Sequence, residues 1–249
     1  MPAGSVRMCP IHGGHPGLTR LAGTCYRINR LAGFFGAGQE ATLRARNEKE
    51  LLRMHAIGRA AAKLFDRKGY LETSLQDISE EAGVSKGAIY YYFSSKHEIL
   101  FFILDTYMDS LLGGLEEELR KVPSGVARVE YITRRHLSLY NNRVPEAKAL
   151  LIDGHNLPAR DFRIVAAKQK RYAALLVDAL SDHLDGKMPK VHLKAIAYIL
   201  FGMCNSIMHW HDPEGPIKLE ELAEMCLNIF LRGTAHYVGV GGHRKVGGT

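Results

Sequence analysis

From Asn47 onward the apolar residues recur at helical spacing, and no run rich in valine, isoleucine and threonine alternates as a strand would. That regularity limits the chain to helices packed on helices. A first helix covers "EKELLRMHAIGRAAAKLFDRKG", with Leu52, Ile57, Ala61, Leu64 and Phe65 on its apolar side and Gly69 as its stop. Thr73 or Ser74 caps a short second helix, and Asp77, three residues after Ser74, completes a capping box. Gly83 ends that helix and Ser85 caps a third. Ser95 caps a fourth running from Lys96 towards Val122, with Ile99, Leu100, Ile103, Tyr107 and Leu111 as its stripe and Gly113–Gly114 as a place to bend. Helical patterns continue at about 125–142, 145–155, 159–185, 190–211 and 218–238, separated by Pro145, Pro158, the Gly186 to Pro189 stretch and the Pro213 to Pro216 stretch. The expected fold class is all-α, about nine helices, with a small N-terminal group of three followed by a larger bundle.

The 249 residues, 46% hydrophobic and 24% charged, have ordinary globular composition. The richest apolar stretch, "AIAYILFGMCNSIMHW" at 195–210, is shorter than a membrane helix and polar at its end, so the chain reads as soluble with no membrane partner. A formal net charge of +7 suits a polyanionic partner such as nucleic acid without requiring one. Cys9, Cys25, Cys204 and Cys226 are too widely spaced for a disulfide framework, which favours a reducing cytoplasm. The "CPIHGGH" run at 9–15 has metal-ligand types but nothing downstream completes a zinc set, so no metal and no cofactor is expected. Residues 1–45 carry Arg7, Arg20, Arg27 and Arg30 and no acidic residue before Glu40. They read as a flexible basic arm, or as sequence upstream of the true start, outside the fold.

Two short helices joined by a tight glycine turn, "DISEEAGVSKGAIYYYF", fit a helix-turn-helix. Ile78 and Ala82 face inward, Gly83 turns the chain, Val84 plugs the core, and Ile89 and Phe93 anchor the third helix. Lys86, Gly87, Ala88, Tyr90, Tyr91 and Tyr92 remain outside. Small residues at the N-terminus of a recognition helix let its backbone enter the major groove. The capped starts at Ser74 and Ser85 present N–H groups suited to phosphate. Lys96 opposes the dipole of the helix it opens, which a phosphate partner would explain.

The segment "AAAKLFDRKGYLETSLQDISEEAGVSKGAIYYYFSSKHEIL", residues 60–100, resembles the DNA-binding domain of TetR-family transcriptional regulators, in "LFDRKGY", the "TS" before helix two, the tyrosine-bearing helix and "SKHEIL". The resemblance implies a homodimer on a palindromic operator, with a C-terminal pocket for a small hydrophobic ligand. Carried over residue by residue, it implies phosphate contacts at Thr73, Ser74, Tyr90 and Lys96. Base-edge positions fall at Gln76, Lys86, Gly87, Ala88 and Tyr91, with Tyr92 at the backbone margin and Ser85 within the same DNA-binding set.

The second half has fewer signals. Ile196, Leu200, Met203 and Ile207 on one helix, with Leu222, Met225, Ile229 and Phe230 on the next, form stripes that serve either a dimer interface or a core. "ARDFRIVAAKQKRYAALLVDAL" carries a run of basic residues that reads as a solvated face. The sharper reading is an anionic port, in which Arg163, Lys170 and Arg171 meet the phosphates of an acyl-CoA and the bundle takes its acyl chain. Trp210 is grouped with them as a ligand-binding candidate, against the alternative that it packs the helix end. His209 and His211 diverge by about 200° on a helix and do not form a metal pair. No nucleophile motif emerges, so catalysis is not expected.

The expected layout is an arm at 1–45, a helix-turn-helix domain at 46–100, a ligand-binding and dimerisation domain at 101–238, and a tail at 239–249. The expected function is a ligand-responsive repressor in the cytoplasm. An activator remains open, as does a helical carrier or enzyme whose helix-turn-helix does not bind DNA.

Overall fold

The computed structural model describes residues 37–239, with side chains described over 47–237. The Cys9–His15 run, Cys25 and residues 240–249 lie outside the described residues. Ten α-helices follow in order: α1 (Ala37–Lys68), α2 (Leu75–Glu81), α3 (Lys86–Tyr92), α4 (Lys96–Leu112), α5 (Leu115–Lys121), α6 (Val126–Ser138), α7 (Val144–Ile152), α8 (Ala159–His183), α9 (Lys190–Trp210) and α10 (Leu219–Gly239). Single turns of 3₁₀-helix follow α6 and α7. The described residues contain no strand, as the helical period requires.

Two boundaries differ from the sequence reading. α1 begins at Ala37, inside the stretch read as an arm. The helix expected from Lys96 to Val122 is two helices, α4 and α5. Gly114 takes φ +74°, a left-handed conformation that ends one helix and starts the next, so the glycine pair separates rather than bends. The freed carbonyls at the end of α4 are then collected by Arg135. Its guanidinium donates to Gly113 O at 2.6 Å and to Ser110 O and Leu111 O at 3.2 Å, and pairs with Glu118 at 2.6 Å.

The chain divides into two compact units at Ile103/Leu104, a point inside α4. In the first unit, Ile57, Ala61, Leu64 and Phe65 of α1 are buried with Ile78, Ile89, Phe93, Ile99 and Leu100. Phe93 meets Phe102 edge-on at 5.5 Å and Phe65 meets Tyr70 at 5.1 Å. Leu52, expected on the apolar stripe, is 61% exposed and lies off the buried face.

In the second unit α8 packs on α9 and α6, and α10 packs on α6. Val129, Ile132, Leu176, Leu180, Ala197, Leu200 and Ile207 fill the centre. α9 has 21 residues and an 18-residue window of mean hydropathy 1.4, enough by length and composition alone to cross a membrane, contrary to the sequence reading of a shorter stretch. Its buried face, Leu193, Ala197, Leu200, Cys204, Ile207 and Met208, packs within the unit. Cys204 and Cys226 are free thiols. The Cys204 thiol lowers the pKa of Cys226.

Candidate nucleic-acid interface and cavity

The first unit presents α2 and α3 across a tight turn. Ser74 caps α2: its hydroxyl accepts from Asp77 N at 3.1 Å, and Asp77 accepts from Ser74 N at 2.7 Å, as the capping-box spacing predicts. Lys68 pairs with Asp77 at 2.7 Å, and together with the Ser74 bonds it holds that carboxyl well below the usual range. Gly83 takes φ +63° at the turn. Ser85 then caps α3 by accepting from Ala88 N at 3.1 Å. Ile89 is fully buried, so α3 turns its opposite side outward.

Lys86, Gly87 and Tyr90 are exposed on that side, with Ala88 half-buried beside them. Tyr90 is 53% exposed and makes no hydrogen bond among the described residues. Gln76 is exposed on α2, with its amide donating to Glu80 at 2.7 Å. Tyr91, expected at the base edges, is also 53% exposed; it donates to Glu50 of α1 at 3.3 Å and meets Tyr92 edge-on at 4.8 Å. Tyr92 is half-buried, and burial raises its phenol. A turn of about 100° per residue thus separates Tyr90 from the pair that leans towards α1.

Two expected phosphate contacts are placed differently. Thr73 is 1% exposed and its hydroxyl donates to Gly69 O at 2.8 Å, so the side chain closes the α1–α2 loop from inside. Lys96 donates to the carbonyls of Tyr70 and Thr73 at 2.7 Å and of Leu71 at 3.2 Å. An ammonium has three N–H donors, and here all are taken by the loop. The unfavourable helix dipole at Lys96 is outweighed by these three charge-assisted hydrogen bonds.

The second unit encloses a cavity of about 320 Å³ among α4, α6, α7, α8 and α9, lined mainly by apolar side chains such as Met108, Leu111, Ala147, Ala173 and Phe201. Polar side chains interrupt this lining, Gln169 and a hydrogen-bonded cluster among them. Tyr140 donates to Asn205 Oδ1 at 2.8 Å, His136 Nε2 lies 2.9 Å from the same oxygen, and His136 Nδ1 lies 3.3 Å from the Tyr172 hydroxyl. Burial pushes His136 down to about 4, so it is neutral near pH 7. Sequence reading missed this cluster. Its local signal is His136 and Tyr140 four apart across the end of α6, and a lone asparagine within an apolar run.

The expected ligand port is mostly absent from this cavity. Lys170 borders it, but Arg163 is an exposed residue outside the lining, and Arg171 is paired with Glu116 at 2.7 Å. Lys168 of the same run is paired with Asp105 and Asp109, each at 2.6 Å. Two of the five basic residues in the run, Lys168 and Arg171, thus join α8 to α4 and α5. Trp210 is 58% exposed at the end of α9 and does not line the cavity.

The stripes on α9 and α10 also sort differently from expectation. Leu200, Ile207, Leu222 and Phe230 are buried within the unit, whereas Tyr198 (60%), Ile199 (59%) and Ile229 (66%) are exposed. His192, Ile196, Ile199, Met203, Ile229 and Tyr237 line an apolar groove there. His211 lies 3.0 Å from Ile217 O, and no cluster of three metal-ligand residues occurs among the described residues.

Comparison with known proteins places this geometry. Residues 57–101 match the pattern of bacterial regulatory proteins of the tetR family, and residues 123–234 match a tetracyclin repressor-like C-terminal domain. A TetR-family transcriptional regulator from Bordetella parapertussis is 30% identical, covering 74% of this chain and 96% of that one, with a TM-score of 0.68. The TetR-family regulator PfmR of Thermus thermophilus is 28% identical over 71% of this chain and 97% of that one, with a TM-score of 0.64. The transcriptional repressor KstR2 of Mycolicibacterium smegmatis is 27% identical over 185 residues, 70% of this chain and 86% of that protein.

Proposed function

We propose, for a chain that belongs to the TetR family of DNA-binding transcriptional regulators, that it is a homodimeric repressor released from a palindromic operator by a small apolar effector. The observation that carries the reading is the outward side of α3, where Lys86, Gly87 and Tyr90 stand exposed just after its capped start at Ser85. In this reading Tyr90 and the N-terminal turns of α2 and α3 meet phosphates, and Lys86 with Gly87 and Ala88 approaches the bases. Thr73 and Lys96 act one step back by fixing the loop before α2.

Repression is taken from similarity at 27% identity to a protein named a transcriptional repressor, against 23% to one named a transcriptional activator. Dimerisation is assigned to the exposed side of α9 and α10, because Ile199 and Ile229 stand exposed along one apolar groove that a second copy would cover. The effector is assigned to the cavity of the second unit, with an acyl-CoA thioester as the first candidate. Its acyl part suits the apolar lining, and Lys170 is the cation at the border. Domains at 46–100 and 101–238 then divide DNA reading from effector sensing. α4 contributes residues to both units, so it is the proposed carrier of the signal.

Selection of bound sequences from random duplex DNA, followed by titration with octanoyl-coenzyme A, tests this reading. A palindromic product that the thioester releases supports it. Absence of any selected sequence at low salt would remove DNA binding through this face, and release by no acyl thioester would remove the effector class.

A further inference from the structure

We infer that the cavity of the second unit recognises a neutral carbonyl oxygen on an apolar ligand, with the Asn205 side-chain amide and the Tyr107 hydroxyl as its donors. The inference rests on the reading of that cavity as the effector site, and it names what the ligand must carry.

The orientation of Asn205 follows from its partners. Its Oδ1 takes the Tyr140 hydroxyl at 2.8 Å and faces His136 Nε2 at 2.9 Å. A neutral imidazole has one donor and one acceptor nitrogen, so Nε2–H donates to Asn205 and Nδ1 accepts from Tyr172 at 3.3 Å. The amide oxygen is the end turned to this cluster, where His136 Nε2 also lies 3.0 Å from the Tyr140 hydroxyl. The amide nitrogen is the other end, it makes no hydrogen bond among the described residues, and Asn205 lines the cavity.

Tyr107 gives the second, independent observation. It is 2% exposed, lines the same cavity, and its buried hydroxyl has no hydrogen-bond partner. Burial raises its phenol, which keeps the proton on and the group a donor. Buried polar groups are nearly always partnered, so an unmet hydroxyl beside an open cavity points to a ligand atom. The Arg143 guanidinium lies over the Tyr107 ring, 5.1 Å from its centroid.

Two unmet donors in apolar surroundings select an acceptor. Lys170 is exposed at the border, the Arg143 guanidinium is already paired with Glu146, and the His136 ring is neutral, so a buried carboxylate would lack a free countercharge. A ketone, ester or thioester oxygen suits both donors without that cost. A hydrocarbon would leave them unmet, and discrimination of this kind is stronger than the discrimination of chain length by an apolar wall.

Calorimetric titration of the full chain, without DNA, with methyl hexyl ketone and with hexyl methyl sulfide tests this directly. The two probes are alike in length and differ in the carbonyl. The ketone is expected to bind about tenfold more tightly. Tyr107→Phe should weaken the ketone about fivefold and leave the sulfide unchanged. It should also keep the melting temperature of the unliganded protein at or above the starting value, because that hydroxyl has no partner to lose. Equal affinities for the two probes, an unchanged ketone affinity in Tyr107→Phe, or binding of neither probe would overturn the inference. Ketone binding in the expected pattern, with an operator complex that stays intact, would uphold carbonyl recognition while removing the regulatory reading of the cavity.

Discussion

Lys96 donates to the carbonyl of Tyr70 at 2.7 Å while its ammonium stands 4.4 Å above the Tyr70 ring. With the Leu71 and Thr73 carbonyls it closes the loop between α1 and α2 from the start of α4. Lys96→Met should therefore cost about 2 kcal/mol of stability, the scale of charge-assisted hydrogen bonds lost at a half-buried position. Urea unfolding measures this. Operator affinity should fall as well, equally for all operator variants, because the whole start of α2 is loosened.

The tyrosine run separates into two roles. Tyr90→Phe should weaken every operator variant alike, by about 1 kcal/mol or roughly fivefold, through loss of one phosphate hydrogen bond. Tyr91→Phe should leave operator affinity close to the starting value, because its hydroxyl is engaged with Glu50 at 3.3 Å. Fluorescence anisotropy on a panel of operator variants distinguishes the two.

What was legible in the sequence was local. Ser74 and Asp77 stand three apart, and that spacing alone specifies the capping box found at 2.7 Å and 3.1 Å. Ile78, Ile89 and Phe93 could be placed in the core from helical period, and Gly83 at the turn from the need for positive φ. Lys96 could not be read correctly, because its three carbonyl partners lie 23 to 26 residues away and a backbone acceptor leaves no mark in the sequence. The cavity was hidden for the same reason: His136 and Asn205 are 69 residues apart. The basic run on α8 was visible, but its acidic partners Asp105, Asp109 and Glu116 belong to other helices. A charge pattern on one helix does not reveal what faces it.

His136 makes stability depend on pH. Its folded value near 4 lies below the ordinary 6.5, so the unfolded chain takes up this proton first as pH falls. The contribution is complete above about pH 6.5 and declines towards pH 4, by up to about 3 kcal/mol, then levels off. Thermal unfolding across that window should show the decline, and His136→Leu, although less stable near neutrality, should show a shallower slope.

The exposed side of α9 and α10 should hold two copies together. Ile229, 66% exposed in the protomer, is the position where a charge should act most strongly. Ile229→Lys should raise the dimer dissociation constant at least about tenfold while helical content stays the same. Analytical ultracentrifugation over a concentration series reads this, and a wild-type chain that sediments as a monomer throughout would remove the interface.

The central claim is that the outward side of α3 reads DNA. Operator affinity of the Lys86→Ala/Tyr90→Ala double variant, measured beside wild type over a range of salt concentrations, tests it most directly. Both side chains are exposed, so the variant should fold as the wild type does. The account predicts a loss of at least about a hundredfold and a shallower dependence on salt, since phosphate contacts dominate both. A double variant that binds the operator with full affinity and an unchanged salt slope would contradict it.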